Sequence, residues 1–116
     1  MICFDVYIND KKVCRAGLKD LLVMNCILNW IKRPTNEEEM FMEVGGLYEH
    51  GSGGNAHPHW VNHLPLAEGD KIIIEIVDAD VGDQPIGEQV YTLAELKEGE
   101  RKYYESMKGK FENEDD

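Results

Sequence analysis

The longest apolar stretch of the chain, Leu21 to Ile31, constrains the fold more than any other feature. With a period of two residues, one face of this stretch is wholly apolar, and the other is apolar except for Asn25 and Asn29. A helical period fits poorly, because nearby leucines then fall on the same side as both asparagines. The pattern therefore predicts a strand that is covered on both faces, at the centre of a β-sheet.

Shorter segments also predict strands, because apolar residues alternate in them or run between turn residues. These segments are residues 2–8, 12–15, 40–44, 72–77 and 90–92. A turn signal, Asn9-Asp10-Lys11, separates the first two, which predicts a β-hairpin. Residues 72–77 are apolar on both faces, so they predict a second central strand.

Near the C-terminus the pattern becomes helical. Thr92 and Glu95 have the spacing of a capping box, and apolar residues then recur at helical spacing as far as Phe111. Gly99 is expected to weaken or break this helix, because glycine is a poor helix former.

The strand segments follow one another with only turns between them, which favours antiparallel pairing. The predicted fold class is mainly β (α+β): an antiparallel β-sandwich or rolled sheet of about five to seven strands with a C-terminal helical segment. At 116 residues there is room for a single core. We expect one domain over residues 1–111 and an acidic, frayed tail over 112–116.

The chain is strongly acidic, since 23 Asp and Glu against 12 Lys and Arg give a formal net charge of −11 at pH 7. Such a charge repels nucleic acids and anionic membranes, so neither is an expected partner, whereas a basic protein is. Solubility alone is the plainer interpretation of the same charge. No apolar run approaches the roughly 20 residues of a membrane-spanning helix.

The cysteines Cys3, Cys14 and Cys26 are odd in number and have no CxxC spacing. They predict reduced, buried thiols, and a disulfide between Cys3 and Cys14 across the first hairpin is the alternative. The first residues lack the pattern of a secretory signal. A cytoplasmic location is therefore expected.

Three histidines form the pattern H-x-H-x3-H at His57, His59 and His63. On an extended strand all three share a face by parity, and neutral imidazoles are good ligands of divalent transition metals. The plainer interpretation is a glycine-rich surface loop in which histidines happen to cluster.

This stretch resembles the first motif of the cupin family, which has a glycine, five residues, His-x-His, three or four residues, a glutamate and then a glycine. Gly51, His57, His59 and Gly69 fall at or near the matching places, whereas His63 stands where the family has glutamate. The second cupin motif also needs a histidine, and none follows His63. The resemblance implies a cupin-like protein that holds one metal ion with the three histidines.

The favoured function is binding and not catalysis, by a small acidic module, immunity-like in its sharpest form, that engages a basic protein. Candidate partner-binding residues are acidic or aromatic: Glu37, Glu38, Glu39, Trp60, Asp78 and Asp80. The aromatic residues are equally explained as cover for the sheet. A third possibility is a homodimer formed through an edge strand or through the second apolar face of residues 21–31; a monomer is the other state considered.

Overall fold

A computed structural model describes residues 1–51 and 53–114, with side chains as far as Met107. These residues form seven strands and a C-terminal helix, which confirms the predicted mainly β fold. The elements are β1 (Ile2–Ile8), β2 (Lys11–Ala16), β3 (Val23–Lys32), β4 (Glu38–His50), β5 (Gly54–Pro65), β6 (Ile72–Asp78), β7 (Gly87–Tyr91) and α1 (Leu93–Glu114). Within this described part of the chain, no helix is long and apolar enough to cross a membrane.

The strands form two antiparallel sheets, one ordered β2-β1-β6 and the other β3-β4-β5-β7. Their facing sides supply the buried core. Its members come from both sheets and are Val6, Cys14, Ala16, Met42, Val44, Trp60 and Val61. The sandwich arrangement follows from two sheets that each have one strongly apolar face.

The predicted first hairpin is confirmed. Its two turn residues, Asn9 and Asp10, both have positive φ, at 51° and 67°. Two left-handed residues give a type I′ turn, whose twist matches that of the paired strands, and Asn and Asp tolerate this conformation better than other residues with a Cβ atom.

Helix α1 begins as predicted, because the Glu95 N–H donates a hydrogen bond to Thr92 Oγ1 at 3.2 Å. The helix does not break at Gly99 but runs through it to Glu114, and the weakening expected there stays a prediction. One glycine costs a helix only about 1 kcal/mol relative to alanine, which the flanking helix formers offset. Residues 115 and 116 of the predicted tail lie outside the described residues.

The prediction that residues 21–31 and 72–77 form central strands is wrong, because β3 and β6 are each the outermost strand of their sheet. Leu28 and Trp30 of β3 are 59% and 65% exposed, and Ile76 of β6 is 69% exposed. The alternation of apolar and polar residues in a sequence predicts how apolar each face of a strand is. It does not predict whether the strand pairs with one neighbouring strand or with two.

A buried ion pair joins the strands of the first hairpin. Asp5 is only 3% exposed, and both of its oxygens accept hydrogen bonds from Arg15, at 2.8 and 2.9 Å. Lys12 adds a second cation at 3.5 Å. These cations, Arg15 foremost, hold the pKa of the Asp5 carboxyl below its ordinary value.

Acid is expected to remove the contribution of this pair to stability. Because the folded-state pKa of Asp5 is lowered, the contribution is complete well above the unfolded pKa of about 3.9 and disappears as the pH falls through the folded value. The difference in unfolding free energy between wild type and Asp5→Asn should be largest at pH 7 and should shrink below about pH 4. Urea unfolding at pH 7, 5 and 3 measures it, and a difference that is the same at all three would contradict the assignment.

Candidate functional site

The turn between β3 and β4 determines which backbone groups of β3 are free. The Arg33 N–H donates to the Glu37 carbonyl at 2.8 Å, the Asn36 N–H donates to the Arg33 carbonyl, and Asn36 has a φ of 68°. This is a three-residue loop with a bulge at its end, and it makes Arg33 and Glu37 a hydrogen-bonded pair. Since such pairs alternate along an antiparallel ladder, the odd residues of β3 bond to β4. The even residues, 24 to 32, point their N–H and C=O groups away from the sheet.

Side chains beside these free groups are apolar and exposed. Leu28 and Trp30 lie on the face that continues the core, and Ile27 and Ile31 lie on the opposite face. Natural sheets usually protect an exposed edge with charges, proline or a bulge, and the segment Val23–Ile31 contains no charged residue and no proline. We call this segment the β3 edge and take it as the candidate interaction surface.

Strand β6 exposes a second, shorter edge. Ile74 and Ile76 pair with Val6 and Phe4, on the face of the sheet that continues the core, and both are exposed. Glu75 interrupts the apolar sequence of this strand. An inward or edge charge of this kind reduces association between edges, so β6 is the better protected of the two.

The predicted acidic residues at the loop end of β3 lie close to its last residue. Glu38 is paired with Lys32 in the ladder, and Glu39 forms an ion pair with Arg33 at 3.0 Å and contacts the His63 ring. Hydrogen bonds from these two partners hold the pKa of the Glu39 carboxyl below its ordinary value. Glu37 and Glu38 are exposed, so they are the members of this group that a partner reaches directly.

The other predicted acidic residues, Asp78 and Asp80, lie near the opposite end of β3. Asp78 pairs with Ile2, and Ile2 shares a surface depression with Val23, where β3 begins. Ten residues of strand separate the two groups, which is about 30 Å at roughly 3.3 Å per residue. The structure therefore does not bring the six predicted residues into one patch.

Trp60 does not lie on the surface. Its side chain is 4% exposed in the core, and its Nε1–H donates a hydrogen bond to the Asp83 carbonyl at 2.8 Å. A partner reaches this indole only by opening the core. The exposed tryptophan is instead Trp30, which the apolar pattern had placed inside a central strand.

The histidines do not converge on one point. His57 and His59 lie on the outer face of β5, where His57 makes an edge contact with Tyr91 and the His59 ring lies over Gly87. His63 has a φ of 50° and stacks on Phe41. Among the residues that the structure describes, no three His, Cys, Asp or Glu side chains are placed to hold a metal ion. The cupin-like metal site stays a prediction that this geometry does not support.

A shallow polar depression lies on the outer face of the larger sheet. It has a volume of about 340 Å³, and Gly45 and Gly46 line it together with Asn25, Glu43 and His57. Imidazole, amide and carboxylate groups there are all able to form hydrogen bonds. The sequence patterns did not indicate Asn25 or Glu43, because their proximity depends on the pairing of β3 with β4.

The cysteines are free thiols, and Cys3 and Cys14 are buried. Cys14 pairs with Val6, so it lies on the core face, and Cys3 lies on the opposite face of β1. Burial raises the pKa of Cys14 to about 11 and also raises that of Cys26. Thiols with raised pKa values are poor nucleophiles, because little thiolate is present at neutral pH.

Comparison of the chain with protein-family models, with curated proteins and with solved structures finds no match.

Proposed function

We propose that this protein is a small interaction module that acts by binding other protein chains. One observation carries the proposal: the longest apolar stretch of the sequence lies at a free sheet edge with outward-pointing backbone groups. A strand in this position binds a further strand through main-chain hydrogen bonds, and its side chains supply apolar contact area. Exposed apolar segments of this size are characteristic of binding surfaces.

The charge of the protein supports a basic partner. The net charge is −11, and exposed carboxylates lie beyond both ends of the β3 edge, at Glu37 and Glu38 and at Asp78 and Asp80. Of these, Asp78 is already ion-paired with the Met1 ammonium at 2.9 Å. A positively charged protein is attracted to this surface over a distance set by the salt concentration. An immunity-like role, in which an acidic protein covers and blocks a basic one, is the sharpest form of the proposal. A cytoplasmic location is part of it, and the free thiols agree with a reducing compartment.

Removal of the end carboxylates should weaken binding to a basic probe more than removal of others. With poly-L-lysine as the probe, we expect the double variants Glu37→Gln/Glu38→Gln and Asp78→Asn/Asp80→Asn each to lose roughly 3- to 10-fold in affinity at low salt, as expected for lost charge contacts. Raising the salt from about 50 to 500 mM should remove most of the difference. Titration by fluorescence or calorimetry measures both effects.

The matched control is Glu68→Gln/Glu100→Gln, which removes the same charge from two other exposed positions. An equal loss in all three variants would show that only net charge matters, and it would refute a specific acidic surface. Affinity that does not change with salt would refute the basic partner altogether.

A further inference from the structure

We infer that the β3 edge binds the same edge of a second copy of this chain, antiparallel and with Ile27 opposite Ile27. The inference rests on the proposed function, because it names what occupies the free edge. It leaves the carboxylates beyond the ends of the edge available to a basic partner. The result is one continuous eight-stranded sheet across a two-fold axis, built from two copies of the four-stranded sheet.

The outer face of β3 is chemically symmetric about Ile27. Asn25 and Asn29 lie two residues to either side, and the β-branched residues Val23 and Ile31 lie two residues further out. In an antiparallel pair centred on Ile27, each asparagine therefore faces an asparagine, and each β-branched residue faces another. The amides then hydrogen-bond to each other, which explains two polar residues in an otherwise apolar strand.

The inner face repeats this symmetry. Cys26 and Leu28 flank the centre, and Met24 and Trp30 follow, so every pair across the axis is apolar. Leu28 and Trp30 are the most exposed large hydrophobic side chains of β3. Pairing places each of them beside an apolar residue of the second copy and extends the core face from one protomer into the next.

The free backbone groups fit the same register. The even residues of β3 point their N–H and C=O groups outward, and in this register Cys26 faces Leu28 and Met24 faces Trp30. Each facing pair thus consists of two residues with free groups, as a hydrogen-bonded antiparallel pair requires. The odd pairs, with Ile27 at the centre, take the positions where side chains approach most closely.

The distribution of charged residues favours antiparallel over parallel pairing of the two β3 strands. Residues 21–36 contain no Asp or Glu, although the chain has 23 of them, so no carboxylate lies within the paired segments themselves. Lys32 is the charged residue of β3, and antiparallel pairing places it against Leu22 of the other copy. Parallel pairing in register would instead place Lys32 against Lys32, which is repulsive.

Two experiments test the inference: the mass of the protein is measured in solution, and a charged residue is introduced at the centre of the β3 edge. Light scattering during gel filtration should give twice the chain mass of 13.3 kDa at micromolar concentrations. Ile27→Lys should weaken self-association by roughly 100-fold, because two ammonium groups then face each other across the axis. Ile27 is an exposed position, so the monomer should keep its fold, which circular dichroism checks.

A mixture of variants tests the register itself. Ile27→Glu alone should also be monomeric, whereas an equimolar mixture of Ile27→Lys and Ile27→Glu should form a heterodimer, since Lys then faces Glu. This rescue occurs only if residue 27 faces residue 27, and it shows that both variants fold. Ile76→Lys on the β6 edge is the matched control and should leave the dimer intact.

Other outcomes overturn the inference. A wild-type protein that is monomeric at several hundred micromolar has no such interface, and a dimer lost in Ile76→Lys but kept in Ile27→Lys uses the β6 edge instead. Absence of the heterodimer refutes the register. Poly-L-lysine binding, measured on the same variants, separates the two proposals: a monomer that still binds the probe in a salt-dependent way overturns the dimer alone.

Discussion

Replacement of Trp60 by alanine is expected to lower the unfolding free energy by about 3–5 kcal/mol, the range for a large aromatic residue removed from a core. The side chain is 4% exposed and packs among core residues of both sheets. Its Nε1–H also donates a hydrogen bond to the Asp83 carbonyl at 2.8 Å. The loss is a large fraction of the 5–15 kcal/mol that typically stabilises a small domain. Urea unfolding followed by circular dichroism measures it.

Two further variants separate the contribution of the Trp60 hydrogen bond from that of its burial in the core. Trp60→Phe keeps an aromatic ring but removes the hydrogen bond to Asp83, and we expect a cost of about 1–2 kcal/mol. Trp30→Ala is the matched control at a 65% exposed position, measured in the Ile27→Lys background so that edge pairing does not contribute. A Trp30 variant as unstable as the Trp60 variant would mean that the two indoles are not placed as described.

Replacement of Gly46 by alanine is expected to be about as damaging, at about 3 kcal/mol, the upper end for overpacking. A Cβ atom at this position would lie 2.3 Å from the Val23 carbonyl oxygen and 2.4 Å from Leu21 Cδ2. The backbone oxygen cannot rotate away as a side chain does, so β3 must shift from β4. Because the β3 edge depends on this pairing, the same substitution should weaken self-association.

Two other glycines provide the controls for Gly46. At Gly45 the added Cβ would meet the Pro58 carbonyl oxygen at 3.0 Å and otherwise has ordinary contacts, so Gly45→Ala should cost less. At Gly99 it would meet nothing within 4 Å, and Gly99→Ala should stabilise the helix by up to about 1 kcal/mol. Thermal unfolding ranks the three variants, and a Gly46 variant no less stable than the Gly45 variant would contradict the close approach.

Local pattern predicted much of the secondary structure. The first hairpin was predicted from an apolar period of two residues and from the turn residues Asn9 and Asp10. Both signals depend only on residues close together in the sequence. The start of α1 came from the side chain of Thr92, which caps a backbone group three residues away. The break at Gly99 did not occur, since the cost of one glycine is smaller than the stability of the helix around it.

The candidate site was predicted far less well. The three histidines of the predicted metal site lie on one strand, but their rings have different neighbours: His63 stacks on Phe41, whereas His57 contacts Tyr91. The acidic residues were expected to act together, and the length of β3 separates them. Trp60 lies in the core. Each of these placements depends on a bulge, a register or a packing contact between segments far apart in sequence.

The sequence by itself determined that residues 21–31 form a strand with two apolar faces, because side chains alternate on any extended backbone. Its symmetry about Ile27 is also a property of the sequence. Only the tertiary structure decided that this strand lies at an edge, since the number of neighbours depends on which strands pair. An apolar strand in the centre of a sheet stabilises a core, and the same strand at an edge is a surface for another chain.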